Sequence, residues 1–245
     1  MLISKFCETD FSSYEDFKAR FEIRVPENFN FAYDVMDELA ATKPDARALV
    51  WCDDKGEEVT LTFGDMKRLS DKAASMFASY GIAKGDVVMT LLRSKYQYWI
   101  CALALHKLGA VLVPATHQLV EKDLKYRFNA AGVKAVVAVG DARLLAAIDN
   151  VKAETPTLKH RFVVGAASEG WIDFDAAMEA ASAEFVRPTG NAATTNDDLM
   201  LMYFTSGTSG YPKIAAHDYR YPLGHFHTAK YWHAVDREGD RKSVV

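Results

Sequence analysis

A run of hydroxyl-bearing residues and glycines near the C-terminal end of the chain could bind phosphate. It reads Thr205-Ser206-Gly207-Thr208-Ser209-Gly210-Tyr211-Pro212-Lys213, and four of its first five residues carry hydroxyls. The glycines permit positive φ angles and a close backbone approach, so that successive N–H groups and hydroxyls can face one anion. Lys213 adds a positive charge, and Pro212 restricts the backbone at the exit. The segment therefore predicts a cradle for the polyphosphate of a nucleotide.

Two common phosphate loops are excluded by the spacing of the glycines. A Walker A loop needs G-x-x-x-x-G-K-[ST], whereas Gly207 and Gly210 are closer together and Pro212 separates them from Lys213. No G-x-G-x-x-G follows a predicted strand, so the fingerprint of a dinucleotide-binding domain is missing. A polar hairpin loop without a ligand is the alternative. It is disfavoured because the run directly follows an apolar segment, 199–204, that predicts a buried strand.

Composition and charge limit the class of protein. The 245 residues are 49% hydrophobic and 25% charged, which is typical of a globular protein and not of a disordered or coiled-coil one. Lys and Arg number 29 against 33 Asp and Glu, a formal net charge of −4. We therefore expect neither nucleic acid nor a membrane as the main partner. Residues 1–11 lack the apolar region of a signal peptide, and no apolar stretch approaches the ~20 residues of a membrane span.

The three cysteines, Cys7, Cys52 and Cys101, are odd in number and far apart in the chain. They predict neither a disulfide framework nor a C-x-x-C metal or redox pair. We therefore expect a reducing environment and a cytoplasmic location.

Helices and strands that alternate along the chain must position the loop. Segments 48–52 and 59–62 flank a turn and predict a β-hairpin. Apolar runs predict further strands at 87–92, 110–114, 134–139 and 161–164. Apolar residues at helical spacing predict helices at 31–41, 66–80, 96–107, 119–131, 142–149 and 174–180, and residues 187–196 are typical of a connector.

Local signals mark where two of these helices begin. Thr62-x-x-Asp65 and Ser94-x-x-Gln97 are both capping-box patterns. Strands that alternate with helices of about a dozen residues indicate βαβ units. We therefore predict an α/β fold, with a mostly parallel sheet flanked by helices.

Three segments in the same order resemble those of the adenylate-forming, or AMP-binding, superfamily. Residues 203–213 resemble its phosphate-binding signature. Residues 61–66 (LTFGDM) resemble its LTY-x-EL segment, and residues 107–114 (KLGAVLVP) its K-x-G-A-x-x-x-P segment. Within the superfamily, 29–32, 114–119 and His217 followed by 221–224 are most similar to the acetyl- and medium-chain acyl-CoA synthetase branch.

The resemblance implies an activity and a role for each loop residue. Such enzymes bind ATP with Mg²⁺, activate a carboxylic acid as acyl-adenylate with release of pyrophosphate, and then form the CoA thioester. By resemblance, the hydroxyls of 205–209 would donate hydrogen bonds to the β- and γ-phosphates, and the two glycines would allow close approach. Tyr211 and Pro212 complete the predicted binding segment, and Lys213 would neutralise charge. Thr205 and Lys213 are the predicted catalytic residues.

Gln118 lies in a segment, PATHQ, that resembles the CoA entry side of this branch. It is the predicted CoA-binding residue outside the phosphate loop. A loop residue that satisfies backbone groups is an equally good interpretation.

Four histidines near the C-terminal end raise the question of a metal site: His217, His225, His227 and His233. His225 and His227 are two residues apart and would face different ways on a helix, and no cysteine lies near. We expect no protein-held metal, and surface or loop histidines are the better interpretation.

The resemblance also sets an expectation for the extent of the domain. Further family segments, namely the acyl pocket, the ribose-binding Asp and the small C-terminal domain, have no counterpart in 1–245. We therefore expect 1–245 to be part of a large N-terminal AMP-binding domain that is inactive by itself and able to self-associate through exposed apolar surface. Two alternatives remain open: an adenylation enzyme that loads a carrier protein, and a non-catalytic fragment that binds nucleotide or a partner chain.

Overall fold

A seven-stranded sheet forms the centre of the computed structural model, which describes residues 2–206 and 210–233. The strands are β1 (Arg47–Cys52), β2 (Glu58–Thr62), β3 (Val87–Leu91), β4 (Val111–Pro114), β5 (Val133–Val139), β6 (His160–Val164), β7 (Ile172–Asp173), β8 (Leu199–Thr205) and β9 (Lys213–Asp218). The sheet order is β7-β6-β5-β3-β4-β8-β9, and β1 and β2 pair separately as the predicted hairpin. All pairs from β7 to β8 are parallel, and only β9 runs antiparallel to its neighbour β8.

Helices cover both faces of this sheet, which confirms the predicted α/β class. The α-helices of the described residues are α1 (Tyr14–Arg20), α2 (Glu38–Thr42), α3 (Phe63–Ser79), α4 (Gln97–Leu108), α5 (Glu121–Ala131), α6 (Ala142–Val151), α7 (Phe174–Ala180) and α8 (Tyr221–Gly224), and α3 to α7 are the ones that cover the sheet. Residues of α3, α4 and α7 form one core with the sheet, and residues of α5 and α6 form the other. The strands supply both cores because their side chains alternate between faces.

The strand order reverses at β3 and β4. The chain leaves β3 through α4 to reach β4 on one side, and leaves β4 through α5 to reach β5 on the other side of β3. The two connections lie on opposite faces, so the loops at the carboxyl ends of β3 and β4 diverge. Ligands of open parallel sheets bind at this kind of crevice.

One predicted helix start is confirmed and the other is wrong. Thr62 and Asp65 form both hydrogen bonds of a capping box at the start of α3. The Ser94 pattern forms no such box, because α4 begins at Gln97 with no side-chain cap. The Trp51 indole donates to the Ser94 carbonyl oxygen, which ties that turn to β1 and not to the helix.

The segment predicted as a buried strand, 199–204, is a strand but is only partly buried. Met200 and Leu201 are buried, whereas Leu199 and Tyr203 are 43% and 36% exposed. The reason is its neighbour: β9, which the sequence did not predict, lies at the edge of the sheet beyond β8. The predicted helix 31–41 also differs, since it is π-helical over Ala32–Asp37 before α2 begins.

A buried ion pair joins three segments on the α3–α4 face. The Lys107 ammonium at the end of α4 lies 2.6 Å from Asp71 of α3 and 2.8 Å from Asp37 of the π-helical segment. The side chain of Lys107 is fully buried, and that of Asp71 is 1% exposed. Burial raises the pKa of the Asp37 carboxyl, and its contact with Lys107 opposes that rise. The pairing therefore offsets the free-energy cost of burying these charges, which would be large for any one of them alone.

We expect Lys107→Met to lower the free energy of unfolding by about 3 kcal/mol or more, because it leaves Asp37 without its ion-pair partner and Asp71 with only the partly exposed Lys67. Urea-induced unfolding with linear extrapolation measures the change. Lys125→Met is the matched control: it breaks the exposed pair with Glu154 and should cost at most about 1 kcal/mol. Equal losses in the two variants would contradict a special role for the buried pair.

Candidate functional site

The predicted phosphate loop is the connection between β8 and β9. Thr205 and Lys213, the two predicted catalytic residues, are cross-strand partners at its base. The Thr205 hydroxyl donates to the carbonyl oxygen of Lys213 at 3.3 Å. Gly207, Thr208 and Ser209 lie outside the described residues, so their predicted roles stay predictions. Ser206 and Gly210 to Pro212 form the described parts of the loop.

The register of the hairpin puts the predicted catalytic residues on one face. Because cross-strand partners share a face and successive residues alternate, Thr205, Lys213 and Tyr203 project to the same side of the β8–β9 hairpin. His217, two strand positions further on that side, contacts the Tyr203 ring at 5.8 Å between centroids. Both Thr205 and Lys213 are exposed, so the ammonium is available to a ligand at this face, and the hydroxyl can donate to one once it leaves the Lys213 carbonyl oxygen.

Helix α5 supports the opposite side of the loop. The Tyr126 hydroxyl donates to the Pro212 carbonyl oxygen at 2.8 Å, and its ring stacks on Tyr211 with centroids 4.5 Å apart. Tyr211 is 59% exposed, and the Lys122 ammonium lies 5.8 Å from its ring centroid. The exit of the loop is therefore fixed to α5, the helix that connects β4 to β5.

Gly210 is required by its backbone conformation. Its φ is +92°, in the region that favours glycine. A Cβ built at this position meets no atom within 4 Å, so the described protein atoms leave open space beside it. This open space is compatible with the predicted close approach of a ligand to the backbone.

Gln118 lies in the loop that follows β4 and is exposed. Its backbone N–H donates to the Thr116 hydroxyl at 3.3 Å. Since β4 and β8 are adjacent and parallel, the Gln118 loop and the phosphate loop both leave the carboxyl edge of the sheet. The structure therefore brings the two predicted regions to one edge, and a CoA role for Gln118 stays a prediction.

Three of the four histidines, His217, His225 and His227, lie in two separate places. His217 and His225 both contact the Tyr221 ring, at 4.0 and 4.5 Å between centroids. His227 contacts Phe21 instead, and burial lowers the pKa of its imidazole. Within 2–206 and 210–233, no three His, Cys, Asp or Glu residues are grouped so that they could hold a metal ion.

Sequence reasoning missed the residues of α5 that contact the loop. It treated 119–131 as a covering helix, and Leu124, Phe128 and Ala131 do form its buried face. Tyr126 and the neighbouring Arg127 flank that apolar face and reach β8 and the loop exit. The signal available in the sequence was the position of Tyr126 and Arg127, two residues with polar groups, beside the apolar face of a predicted helix.

Comparison with known proteins identifies the family. Residues 36–244 match the family model described as AMP-binding enzyme. The chain belongs to this family. Acyl-coenzyme A synthetase ACSM3, mitochondrial, of Mus musculus is 34% identical over 231 residues, which cover 91% of this chain and 39% of the relative. Acyl-coenzyme A synthetase ACSM5, mitochondrial, of Rattus norvegicus is 38% identical over 200 residues, covering 79% and 34%.

Solved structures show the same fold. The crystal structure of Brucella canis acyl-CoA synthetase aligns with a TM-score of 0.75 and 25% identity, over 91% of this chain and 40% of that one. The anthranilate CoA ligase AuaEII, solved with anthranoyl-AMP, aligns with a TM-score of 0.73 and 21% identity, over 85% and 38%. This AMP-binding chain therefore spans about two-fifths of the length of the relatives and of the solved structures that it matches.

The expectation of a cytoplasmic location is wrong. The curated relatives ACSM3, ACSM4 and ACSM5 are all named mitochondrial. The cysteine argument failed because free thiols indicate a reducing environment and do not distinguish one such compartment from another. No helix in the described ranges has the length and apolar character needed to cross a membrane.

We expect Tyr126→Phe to loosen the loop exit while it keeps the ring stack. Loss of one hydrogen bond of about 1 kcal/mol should raise the local opening equilibrium roughly 5-fold. Amide hydrogen exchange of β8 and β9, followed by mass spectrometry, measures this change. Tyr14→Phe, at a ring that is 70% exposed on α1, is the control and should leave exchange in the hairpin unaltered. Unaltered exchange in Tyr126→Phe would show that the hydroxyl does not hold the loop.

Proposed function

We propose that the protein activates a small or medium-chain carboxylic acid with ATP and transfers the acyl group to CoA. The observation that carries the proposal is the hairpin that presents the Thr205 hydroxyl and the Lys213 ammonium on one exposed face at the base of a Thr/Ser/Gly loop. Membership of the AMP-binding family and the relatives named acyl-CoA synthetases support it. The reaction is assigned to the whole protein, because the chain covers 39% of such a relative.

In the first step a carboxylate oxygen attacks the α-phosphorus of ATP. A new P–O bond forms, the bond from that phosphorus to the bridging oxygen breaks, and pyrophosphate leaves with the electron pair. The contribution of this chain is to hold the β- and γ-phosphates, which become the leaving group. Hydroxyl donors and Lys213 stabilise the negative charge that increases on that group in the transition state.

Fixation of the loop matters for this step because preorganised donors need no rearrangement when charge develops. The Tyr126–Pro212 hydrogen bond and the Tyr126–Tyr211 stack fix the exit of the loop from outside the ligand site. Mg²⁺ prefers oxygen ligands and usually binds through substrate phosphates and water, where it neutralises charge. The hydroxyls of Thr205 and Ser206 are oxygens of a suitable kind to accompany it.

In the second step the CoA thiol gives up its proton to solvent, and its sulfur attacks the acyl carbonyl of the adenylate. A thioester bond forms, the acyl–phosphate bond breaks, and AMP leaves. Gln118 is assigned to the CoA side, because its loop leaves the sheet at the same edge as the phosphate loop. A carrier-protein thiol in place of CoA would need the same chemistry, so the acyl acceptor must be tested directly.

Lys213→Ala should weaken the binding of ATP·Mg²⁺ about 10-fold or more, since a hydrogen bond to a charged group contributes about 1.5–3 kcal/mol. Isothermal titration of the 245-residue chain measures the affinity. Lys55→Ala, with the same loss of charge in the turn between β1 and β2, is the control and should bind as the wild type does. Equal affinities of the Lys213 variant and the wild type would remove the loop from the nucleotide site.

The same titrations, repeated with acetate or butyrate and an assay for pyrophosphate, separate binding from turnover. We propose that the 245-residue chain binds ATP without turnover, because the resemblance places the acyl and ribose contacts in other segments. Pyrophosphate release by this chain would contradict that part of the proposal and leave the assignment of the loop intact.

Gln118→Ala should weaken CoA binding roughly 5-fold, the effect of one neutral hydrogen bond, and leave ATP binding unchanged. Titration with CoA, with ATP·Mg²⁺ as the internal control, measures both. An unchanged dissociation constant for CoA would return Gln118 to the role of an ordinary loop residue. Acyl transfer to a phosphopantetheinyl carrier and none to CoA would favour the carrier-loading alternative.

A further inference from the structure

Residues 8–22 form an arm near the N-terminal end of the chain. The two ends of the arm are joined, because Cys7 and Ile23 form an antiparallel β-bridge. Helix α1 lies within the arm, and the Ser13 hydroxyl caps its first turn. None of the residues 8–22 is buried, and none belongs to the two cores of the sheet. The arm can therefore leave the rest of the protein at a small cost in buried apolar surface.

The arm lies on residues 227–231, which follow α8. The carbonyl oxygen of Thr9 accepts from the Lys230 ammonium and, at 2.8 Å, from the Tyr231 hydroxyl. The ammonium also lies 2.7 Å from the Asp10 carboxylate, which is 81% exposed. An ion pair this exposed contributes at most about 1 kcal/mol, so the polar contacts alone hold the arm weakly.

The remaining contact is a cage of aromatic rings around the imidazole of His227. Between centroids, the imidazole lies 4.3 Å from Phe21, 5.8 Å from Phe17 and 6.4 Å from Phe11, all three of which belong to the arm. Tyr231 completes the aromatic cage from the side of residues 227–231, at 6.3 Å. His227 is therefore the side chain of that segment around which the apolar residues of the arm gather.

The hydrogen bond of His227 determines where its proton lies. Its Nε2 atom is 3.2 Å from the carbonyl oxygen of Glu8, which can only accept, so Nε2 carries the proton and Nδ1 carries a lone pair. Nδ1 is buried and has no hydrogen-bond partner in 2–206 or 210–233. A second proton, on Nδ1, would place a charge where no acceptor in those ranges receives its hydrogen bond.

Charged groups around the aromatic cage do not offset this cost. Burial lowers the pKa of the His227 imidazole, the hydrogen bond to Glu8 opposes that effect, and the charge of Lys230 adds to it. Within the arm, Arg20 pairs with the carboxylates of Glu8 and Asp16, and it holds the pKa of Asp16 well below its usual range. Carboxylates ordinarily titrate near pH 4 and histidine near pH 6.5, so the imidazole is the group of this contact that titrates between pH 7.5 and 5.5.

We propose that His227 makes the attachment of the N-terminal arm sensitive to pH: its neutral form holds the arm on residues 227–231, and its protonation releases the arm while the sheet stays folded. In the released state the imidazole binds its second proton near the ordinary pKa of about 6.5, and in the attached state it binds that proton only at lower pH. The attachment is therefore at full strength above about pH 6.5 and weakens as the pH falls below that value.

Hydrogen exchange of residues 8–22 in the 245-residue chain, followed by mass spectrometry at pH 7.5 and 5.5, tests the proposal. At each pH the wild type is compared with His227→Phe, which keeps a ring in the aromatic cage and cannot be protonated. Because the sequence of the arm is the same in both proteins, the intrinsic exchange rates cancel. Opening of the arm in the wild type relative to the variant should increase about 5- to 10-fold from pH 7.5 to 5.5, with no such increase in β3 to β5.

Two further variants make the comparison specific. His233→Phe is the matched control, because it removes an exposed histidine of the same segment, and it should keep the pH dependence of the wild type. His227→Gln keeps a donor for the Glu8 carbonyl oxygen without titrating and should be as independent of pH as His227→Phe. The same pH dependence in both His227 variants as in the wild type would overturn the proposal.

Proton NMR titration of the imidazole C–H of His227, assigned by its absence from the His227→Phe spectrum, gives an independent readout. A midpoint below 6.5 supports the proposal. A midpoint at or above about 6.5 overturns it, because the aromatic rings would then stabilise the imidazolium through cation–π contacts. If neither His227 variant folds, the titration of the wild type decides, with His227 assigned through its contact with the Phe21 ring.

Discussion

The buried ammonium of Lys107 is the constraint on which the arrangement of the sheet and its first helices depends. A charge without water needs partners in fixed positions, and the carboxylates of Asp71 and Asp37 come from two other segments. Two residues later, Gly109 ends α4 with a φ of +76°, and a Cβ there would lie 3.0 Å from the Thr194 side chain. The motif K-x-G-A thus has a physical explanation. The lysine joins the end of α4 to α3 and to the π-helical segment by ion pairs, and the glycine ends α4 and lets the chain turn into β4.

The position of β4 in turn determines where the predicted phosphate loop can lie. β8 joins the parallel sheet beside β4 through one registered pair, Leu112 with Leu201, while its longer pairing is with the edge strand β9. A two-stranded hairpin with so short an attachment would be poorly fixed by backbone hydrogen bonds alone. Helix α5 follows β4 directly and supplies the missing support through Tyr126. β4 therefore positions both β8, which leads into the loop, and α5, which holds the exit of the loop.

Signals within one segment allowed the parallel sheet, most element boundaries and the loop to be predicted. The Thr62–Asp65 capping box is such a signal, because both partners lie on the same turn. Features that depend on distant residues were missed or wrong. The Ser94 pattern forms no capping box, because α4 begins two residues too late for it, at Gln97, and the Ser94 carbonyl oxygen accepts from Trp51, 43 residues earlier. β9 was missed because an edge strand buries little and needs no strong apolar alternation. The contacts of Tyr126 with the loop span 86 residues, which no local pattern encodes.

The distribution of charge around the loop has a consequence for how the site would work. Lys213 is exposed and keeps its water until a ligand displaces it, so its attraction is partly screened. Its charge can attract a polyanion from a distance, whereas the contacts of Tyr126 with Pro212 and Tyr211 hold the exit of the loop in place. In the proposed reaction, which separates pyrophosphate from an acyl-adenylate, a loop held in place keeps the leaving group in line with the attacking oxygen.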